Sequence, residues 1–591
     1  MDWLPTTRKE MTERGWENAD VILFSGDAYV DHPSFGMAVI GRVLEAEGLR
    51  VAIVPQPDWH GDLRDFRKLG RPRLFFGISP GAMDSMVNKY TAARRLRRED
   101  AYSPDGRHDM RPEYPTIVYS NILKRLFPDS IVIAGGIEAS LRRVAHYDYW
   151  QDKILPSILI PSGADAITYG MGELATREIT QRLREALEQY DETLGYDETG
   201  EAYCTAETYR KTCLSVRQTV YLCTEAERPS GEDVIVLHSY NECLSDLKKH
   251  AENFRHVEEE SNRMQAATLV QDNVVVNPPY PPMTTEQTDA SFDLPYTRMP
   301  HPKYKGKRIP AYEMIRHSVT LHRGCFGGCA FCTISAHQGK FIASRSKENI
   351  MREVKQVVKM PDFKGTITDL GGPSANMYRM GGKNIKACGK CVRPSCIYPA
   401  VCPNLNGNHA PLTEIYEEVS RLPSVKHCTI GSGVRYDMLL HDWKDENLNK
   451  EAQRYTRQLI TRHVSGRLKV APEHTEDHVL DIMRKPSFAL FHRFKHVFDE
   501  ECRKAGLRQQ IIPYFISSHP GCREDDMQAL SHKTQALHLL TDQVQDFTPT
   551  PLTLSTTIYC TGWHPYTMER VFCEHDSEKK KRQKAYFNGT V

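Results

Sequence analysis

The chain has 591 residues, with 77 Lys and Arg against 76 Asp and Glu, a net charge of +1 and 40% hydrophobic residues, enough for several domains or one elaborated multidomain unit. The cancelling charges give little support for a nucleic-acid or membrane partner across the whole chain. The start MDWLPTTRKEMTERGWENAD lacks the apolar core of a secretory signal, and no later apolar run has the length of a transmembrane helix.

From Asp20, ADVILFSGDAYVDHPSFG reads as a buried strand followed by a polar loop, and MAVIGRVLEAEG as the next helix. VAIVPQP, RLFFGISPG and SIVIAGG repeat the strand-to-loop theme, and ADAITYGMGE closes an α/β domain near residue 190, with helices on the faces of a parallel sheet. Asp31, His32 and Gly36 occupy its first loop as turn residues after a strand, and Gly135, Gly136 and Glu138 a later one, where they either face an active site or satisfy a tight turn. Arg94, Arg95, Arg97 and Arg98, beside Glu99 and Asp100, read as a solvated helix face, with phosphate contact as the alternative. Between 191 and 300 the pattern is less regular: YDETLGYDETG is a polar connection, and VVVNPPYPPMTTEQTDASFDLP joins a short strand to a proline-rich extended segment, together a packed bridge.

The chemistry concentrates in RGCFGGCAFC, where Cys325, Cys329 and Cys332 follow at four-residue and three-residue steps. Three thiolates can hold a [4Fe-4S] cluster while one iron keeps an open position. A structural zinc site would need a fourth ligand, for which His322 and His337 are the nearest histidines. KENIMREVKQVVKM then reads as an amphipathic helix, and GTITDLGG, HCTIGSG, RLKVAPEH and QQIIPYFISS as strands, an alternation that permits a β/α barrel with its active groups on loops.

In CGKCVRPSCIYPAVC, the thiolates of Cys388, Cys391, Cys396 and Cys402 can complete a zinc site or hold a second four-iron cluster. An auxiliary iron-sulfur centre is the preferred reading, zinc the alternative, and His409 and His337 are outer-shell groups. The sixteen cysteines, grouped in this way, suit metal centres in a reducing, cytoplasmic setting. In VQDFTPTPLTLSTTIYCTGWHP, Gln545, Asp546 and Thr548 face an opening while Tyr559 and Cys560 pack as core. The basic end SEKKKRQKAYFNGTV reads either as the beginning of a longer tail or as a solvated terminus.

The run IPAYEMIRHSVTLHRGCFGGCAFCTISAHQGKFIASRS, with the N-terminal segment and the VQDFTPTP tail, resembles the YgiQ family of radical S-adenosylmethionine proteins. The resemblance implies an α/β chain: a Rossmann-like (cobalamin-binding-like) domain at 1–190, a bridging segment at 191–300, a partial (β/α)6 radical SAM barrel at 301–560 carrying the inserted four-cysteine segment, and a C-terminal extension at 561–591. It implies a cytoplasmic enzyme in which a reduced [4Fe-4S] cluster cleaves S-adenosylmethionine to a 5′-deoxyadenosyl radical that takes hydrogen from an unknown substrate. By the same resemblance Gly371 and Gly372 approach the methionine part of the cofactor, Ser432 and Arg435 its carboxylate or ribose, and Glu473 and His474 the pocket. A flavodoxin-like or ferredoxin-like donor is the implied partner. Cobalamin is not expected, because Asp31, His32 and Gly36 depart from the aspartate-x-histidine-x-x-glycine spacing. The alternative is a nonenzymatic iron-sulfur or zinc protein that binds RNA or organises a protein partner.

Overall fold

Val21–Ser25 (β1), Val51–Pro55 (β2) and Phe75–Ser79 (β3) are buried at every position, as strands covered on both faces must be. Val132–Ala134 (β4) and Ala166–Thr168 (β5) are buried in the same way. In the computed structural model, which describes residues 2–541 and 543–587, these five pair in parallel in the order β2-β1-β3-β4-β5. That is a doubly wound order, with its switch point between β1 and β3. Helix Gly36–Ala46 (α1) turns Ala38, Val39, Val43 and Leu44 inward, and helix Glu173–Glu188 (α2) turns Ile179 and Leu183 inward, joining the strands in one apolar core.

The stretch 191–300 adds four strands to this sheet: Thr219–Leu222 (β6), Val234–Val236 (β7), Thr268–Gln271 (β8) and Val274–Val276 (β9). β6 runs antiparallel to β5 and β9, β8 antiparallel to β9, and β7 parallel to β8. Together the nine strands belong to the unit Met1–Lys249, Gln265–Pro281 and Ala290–Arg316.

The carboxyl end of this sheet is packed with the unit's own charges. Arg111 Nε and Nη2 donate to the Asp100 carboxylate at 2.9 and 3.0 Å, and Nη1 donates to the Pro80 carbonyl at 2.9 Å. Arg111 Nη2 also lies 2.9 Å from Asp27 Oδ1. Arg142 pairs with Asp84. Gly26 is pressed so closely on Pro80 that a Cβ would stand 2.1 Å from the carbonyl oxygen. Asp31 is fully buried and takes Arg42 Nε and Nη2 at 3.0 and 2.5 Å, and buried His32 Nε2 lies 2.8 Å from Arg298 Nη2. Both side chains have internal partners, as the structural-loop reading requires. Arg94, Arg95, Arg97 and Arg98 are exposed, but they follow a turn and a Tyr90–Leu96 bridge instead of a helix. Arg97 Nε donates to the Tyr90 carbonyl at 3.1 Å, which the extended backbone there leaves free.

The second unit comprises His250–Met264, Pro282–Asp289 and His317–Val591. Among the described residues, strands alternate with helices along it. Ser318–Thr320 (β10) pairs in parallel with Asp369–Gly371 (β12), and Thr366–Ile367 (β11) with His427–Cys428 (β13). Arg467–Glu473 (β14), Gln510–Ser517 (β15) and Val544–Asp546 (β16) form a further parallel ladder. GTITDLGG thus divides about Thr368 and gives its two halves different partners.

The helices show why the alternation folds. In Lys347–Val357 (α3), Ser346 accepts the Asn349 N–H at the start, and Ile350, Met351, Val354 and Val357 recur at helical spacing on the buried face. Phe491, Phe494, Phe498 and Cys502 do the same in Phe488–Ala505 (α4), and both faces meet in one core with β10–β15. Within the basic end of the chain, Ser577–Ala585 is a docked helix (α5), while residues 588–591 lie outside the described residues. Its buried Gln583 accepts the Ser518 N–H at 3.0 Å, and Lys584 Nζ lies 3.3 Å from Asp546.

Candidate functional site

The first cysteine loop leaves β10 through turns that only glycine tolerates. Gly324 has φ +87° and Gly328 φ +59°, and a Cβ on either would stand 2.2 or 2.4 Å from a carbonyl oxygen, of Phe341 or Pro394. Cys332 N–H donates to the Cys329 carbonyl at 3.1 Å, and Ser335 Oγ to the Cys325 carbonyl at 2.9 Å. The loop so held turns Cys325, Cys329 and Cys332 onto one cavity of about 300 Å³.

The rest of the wall comes from successive strands and the chain after them: Pro373 and Ser374 after β12, Gly433 to Asp437 after β13, Lys469, Val470, Ala471 and Glu473 along β14, Lys485 beyond the helix Asp477–Met483 that follows it, and Tyr514 within β15. Carboxyl ends of parallel strands are the usual place for a ligand in β/α architecture. Burial pushes the Cys325 thiol up to about 11 and the Cys332 thiol up to about 12, with neighbouring thiols adding to the effect. Thiols raised in this way hold their protons at neutral pH. Ser374 Oγ is buried in the wall without a hydrogen-bond partner. Such an orphan awaits a ligand or water.

Glu473 ends β14 in a left-handed conformation, φ +70°, after a register shift between Val470 and Glu473. Strain of this kind persists where the surroundings impose it, and here it leaves Glu473 in the cavity wall. Lys485 Nζ lies 3.6 Å from its carboxylate. Burial pushes the Glu473 carboxyl above the ordinary range, with Lys485 opposing.

Arg435 is placed differently from a free anion fork. Its Nε donates to Asp437 Oδ1 at 3.0 Å, Nη2 to Oδ2 at 2.5 Å, and Nη1 to Cys329 Sγ at 3.3 Å. Burial opposes the Asp437 charge, but the guanidinium overrides it and holds the carboxyl below its usual value. Ser432 Oγ donates to Asp369 Oδ2 at 2.5 Å, while Gly431 and Ser432 N–H donate to Oδ1 at 2.9 and 3.3 Å. Gly371 and Gly372 sit just before the cavity wall. A Cβ on Gly371 would stand 2.8 Å from Ser432 Oγ, and one on Gly372 2.4 Å from the His322 ring. His474 lies beside Cys522, Nε2 to Sγ 3.5 Å, instead of in the wall.

The second cysteine segment is stapled to the first. Cys396 N–H donates to the Phe326 carbonyl at 3.0 Å, and Phe326, Ile397 and Leu405 share a core with Cys325, Cys396 and Cys402 at its margin. Asn404 Nδ2 lies 3.3 Å from Cys388 Sγ, and Lys340 Nζ 3.7 Å from Cys391 Sγ. Burial raises the Cys396 thiol to about 11. Among the described residues no group of three or more His, Cys, Asp or Glu side chains is arranged to hold a metal ion. A four-iron cluster asks for a wider arrangement than a single ion does, because each thiolate binds a different iron. His409 stacks on Tyr455 with ring centres 5.2 Å apart, and burial lowers its pKa to about 4.

Sequence reasoning did not find Asp369, Ser374, Asp437, Lys485 or Tyr514. An Asp two residues before GG and a Lys-Pro pair after a helix were the available signals, and neither has a specific meaning alone.

Residues 3–318 match the family model described as Radical SAM N-terminal. A UPF0313 protein of Bacteroides thetaiotaomicron is 63% identical over 590 residues, 99% of this chain and 94% of that protein. The UPF0313 protein YgiQ of Escherichia coli is 42% identical over 625 aligned positions, 99% and 83% of the two chains. The chain belongs to the YgiQ family of radical S-adenosylmethionine proteins. Among solved structures, this YgiQ-family chain is similar to the radical S-adenosylmethionine methyltransferase TsrM of Kitasatospora setae, at 13% identity and TM-score 0.45 over 91% of this chain and 74% of that one. That structure is described with tryptophan and a SAM analogue bound, and a second with cobalamin and a [4Fe-4S] cluster. No helix of the described residues is long and apolar enough to cross a membrane.

Proposed function

We propose that the chain is a radical SAM enzyme whose reaction centre is the three-thiol cavity, built on a partial (β/α)6 barrel formed by β10–β16 and their helices. The observation that carries this reading is the convergence of Cys325, Cys329 and Cys332 on one cavity of about 300 Å³ at the carboxyl ends of parallel strands. The donor set fits a [4Fe-4S] cluster: three thiols on one wall, none of them used in a disulfide, beside the unpartnered hydroxyl of Ser374. When bound, the reduced cluster supplies the electron that splits S-adenosylmethionine into methionine and a 5′-deoxyadenosyl radical able to take hydrogen from substrate.

The chain's own groups divide the remaining work. Gly371 and Gly372 bring the backbone to the cavity mouth, and Ser432, tied to Asp369, fixes the loop that supplies Gly433 and Val434. Ser374 Oγ offers the cofactor a hydrogen bond, and Lys485, balanced by Glu473, is the cation within reach of its carboxylate. The apolar share of the wall, Phe331, Ile334, Val434 and Val470, keeps water from a reactive intermediate. Cys388, Cys391, Cys396 and Cys402 hold an auxiliary iron-sulfur centre, and a flavodoxin-like or ferredoxin-like protein delivers single electrons. In this reading the nine-stranded unit is structural and takes no cobalamin, because Asp31 and His32 are engaged by Arg42 and Arg298. The setting is cytoplasmic, where iron-sulfur thiols stay reduced.

The test is anaerobic turnover of S-adenosylmethionine after iron-sulfur reconstitution. Methionine and 5′-deoxyadenosine form together in the native chain and fall to background in Cys325→Ala. Verified cluster, reduction and cofactor binding without either product would favour a nonenzymatic metalloprotein that binds RNA or a protein partner.

A further inference from the structure

We propose that Arg435 is a positioning residue that sets the reduction potential of the centre held by Cys325, Cys329 and Cys332, by donating Nη1–H to Cys329 Sγ. The inference rests on the reading of that centre as an iron-sulfur cluster and goes beyond it by assigning its electrostatic control to one ion pair.

Three observations converge on this role. The guanidinium stands 3.3 Å from Cys329 Sγ. It cannot swing away at low cost, because Asp437 engages both its Nε and Nη2 in a fork, with the two side chains only 11% and 9% exposed. The cysteine loop is also shaped around it: a Cβ on Gly327 would stand 3.0 Å from Arg435 Nη1 and 3.3 Å from Cys325 Sγ. Gly327 does not have the left-handed backbone that would itself demand glycine, so space for the guanidinium is what the missing side chain provides.

The consequence follows from charge. Reduction adds one electron, taken from a low-potential one-electron donor, to the cluster, and no bond forms or breaks at Arg435. A fixed cation that hydrogen-bonds a ligating sulfur favours the more negative, reduced state and raises the potential. Arg keeps its charge at every working pH, and Asp437 moderates the effect while fixing the geometry. The role differs from the cofactor-carboxylate contact implied by sequence, since the fork that would take a carboxylate is occupied by Asp437.

The experiment is an EPR-monitored redox titration of the reconstituted full chain, following the signal that disappears in Cys325→Ala. Arg435→Gln is expected to move the midpoint to more negative potential at unchanged iron content, and Arg435→Lys, which keeps the charge without the fork, to move it less. Gly327→Ala displaces the guanidinium while keeping both charges and is expected to shift the midpoint in the same direction. An unchanged midpoint in Arg435→Gln with iron bound overturns the proposal. Should Arg435→Gln fail to fold or to bind iron, Gly327→Ala decides, and an unchanged midpoint there overturns it equally. Absence of any Cys325-dependent signal in the native chain removes the underlying reading and the proposal with it. A Cys325-dependent signal that Arg435 does not influence removes the proposal alone.

Discussion

The nine-stranded unit and the cysteine-bearing unit end their parallel strands in opposite ways. In the first, Arg111, Arg142 and Arg42 meet Asp27 and Asp100, Asp84, and Asp31 at the positions where a doubly wound sheet ordinarily presents its crevice. In the second, the corresponding ends of β12–β15 leave a cavity of about 300 Å³ with three thiols and an orphan hydroxyl. The same α/β logic thus gives one end crossed by the unit's own ion pairs and one that keeps a thiol-lined cavity. Buried charge in the first is matched by buried charge of opposite sign.

The sharpest way to break this comparison is to leave a charge unpaired in the closed end. Arg111→Ala strands Asp27 and Asp100, and is expected to cost about 3–5 kcal/mol of stability, read from urea unfolding of the full chain. A loss below about 1 kcal/mol would show that water reaches the ion pair and that the end is not closed.

The two units should also answer acid in opposite senses. Burial first, with Arg111 opposing, raises the Asp27 carboxyl from 3.8 to about 6, so its contribution is full below pH 3.8 and is lost as pH rises through about 6. Burial lowers the His409 imidazole from 6.5 to about 4, so its contribution is present above pH 6.5 and is lost as pH falls through about 4. Each is worth on the order of 3 kcal/mol across its window. In unfolding midpoints from pH 4 to 7, Asp27→Asn is expected to remove a decline with rising pH and His409→Gln a decline with falling pH. Parallel profiles for variant and native chain would contradict the assignment.

The smallest effect on folding should fall in the open cavity. Ser374→Ala removes a hydroxyl that has no partner in the protein and is expected to change stability by less than about 1 kcal/mol, or to raise it. It is expected to weaken S-adenosylmethionine binding by roughly tenfold, one charge-assisted hydrogen bond, as measured by equilibrium dialysis. Loss of stability without loss of binding would place Ser374 among the structural groups.

What the sequence discloses follows from range. Apolar runs such as VILFS and VAIVP announce buried strands because covering both faces requires it, and the steps of RGCFGGCAFC bring three thiols together within one loop. β7 and β9 are three residues each, too short for periodicity to mark, so their place in the sheet becomes visible only through their partners. The basic tail reads as solvated because its charges are local, whereas Gln583 and Lys584 are held by Ser518 and Asp546, far away in sequence. Arg435 stands out in GSGVRYD, but its sulfur partner lies 106 residues earlier. Ser374, Lys485 and Tyr514 arrive at the cavity from three separate stretches of chain, and no spacing rule connects them.

The central claim, that the three-thiol cavity binds S-adenosylmethionine at an iron with an open position, is tested most directly by EPR of the reduced, reconstituted chain with and without the cofactor. The account predicts that adding S-adenosylmethionine changes the g-values of the signal lost in Cys325→Ala, and leaves any signal from the second cysteine set as it was. A Cys325-dependent signal that saturating cofactor does not alter would contradict it.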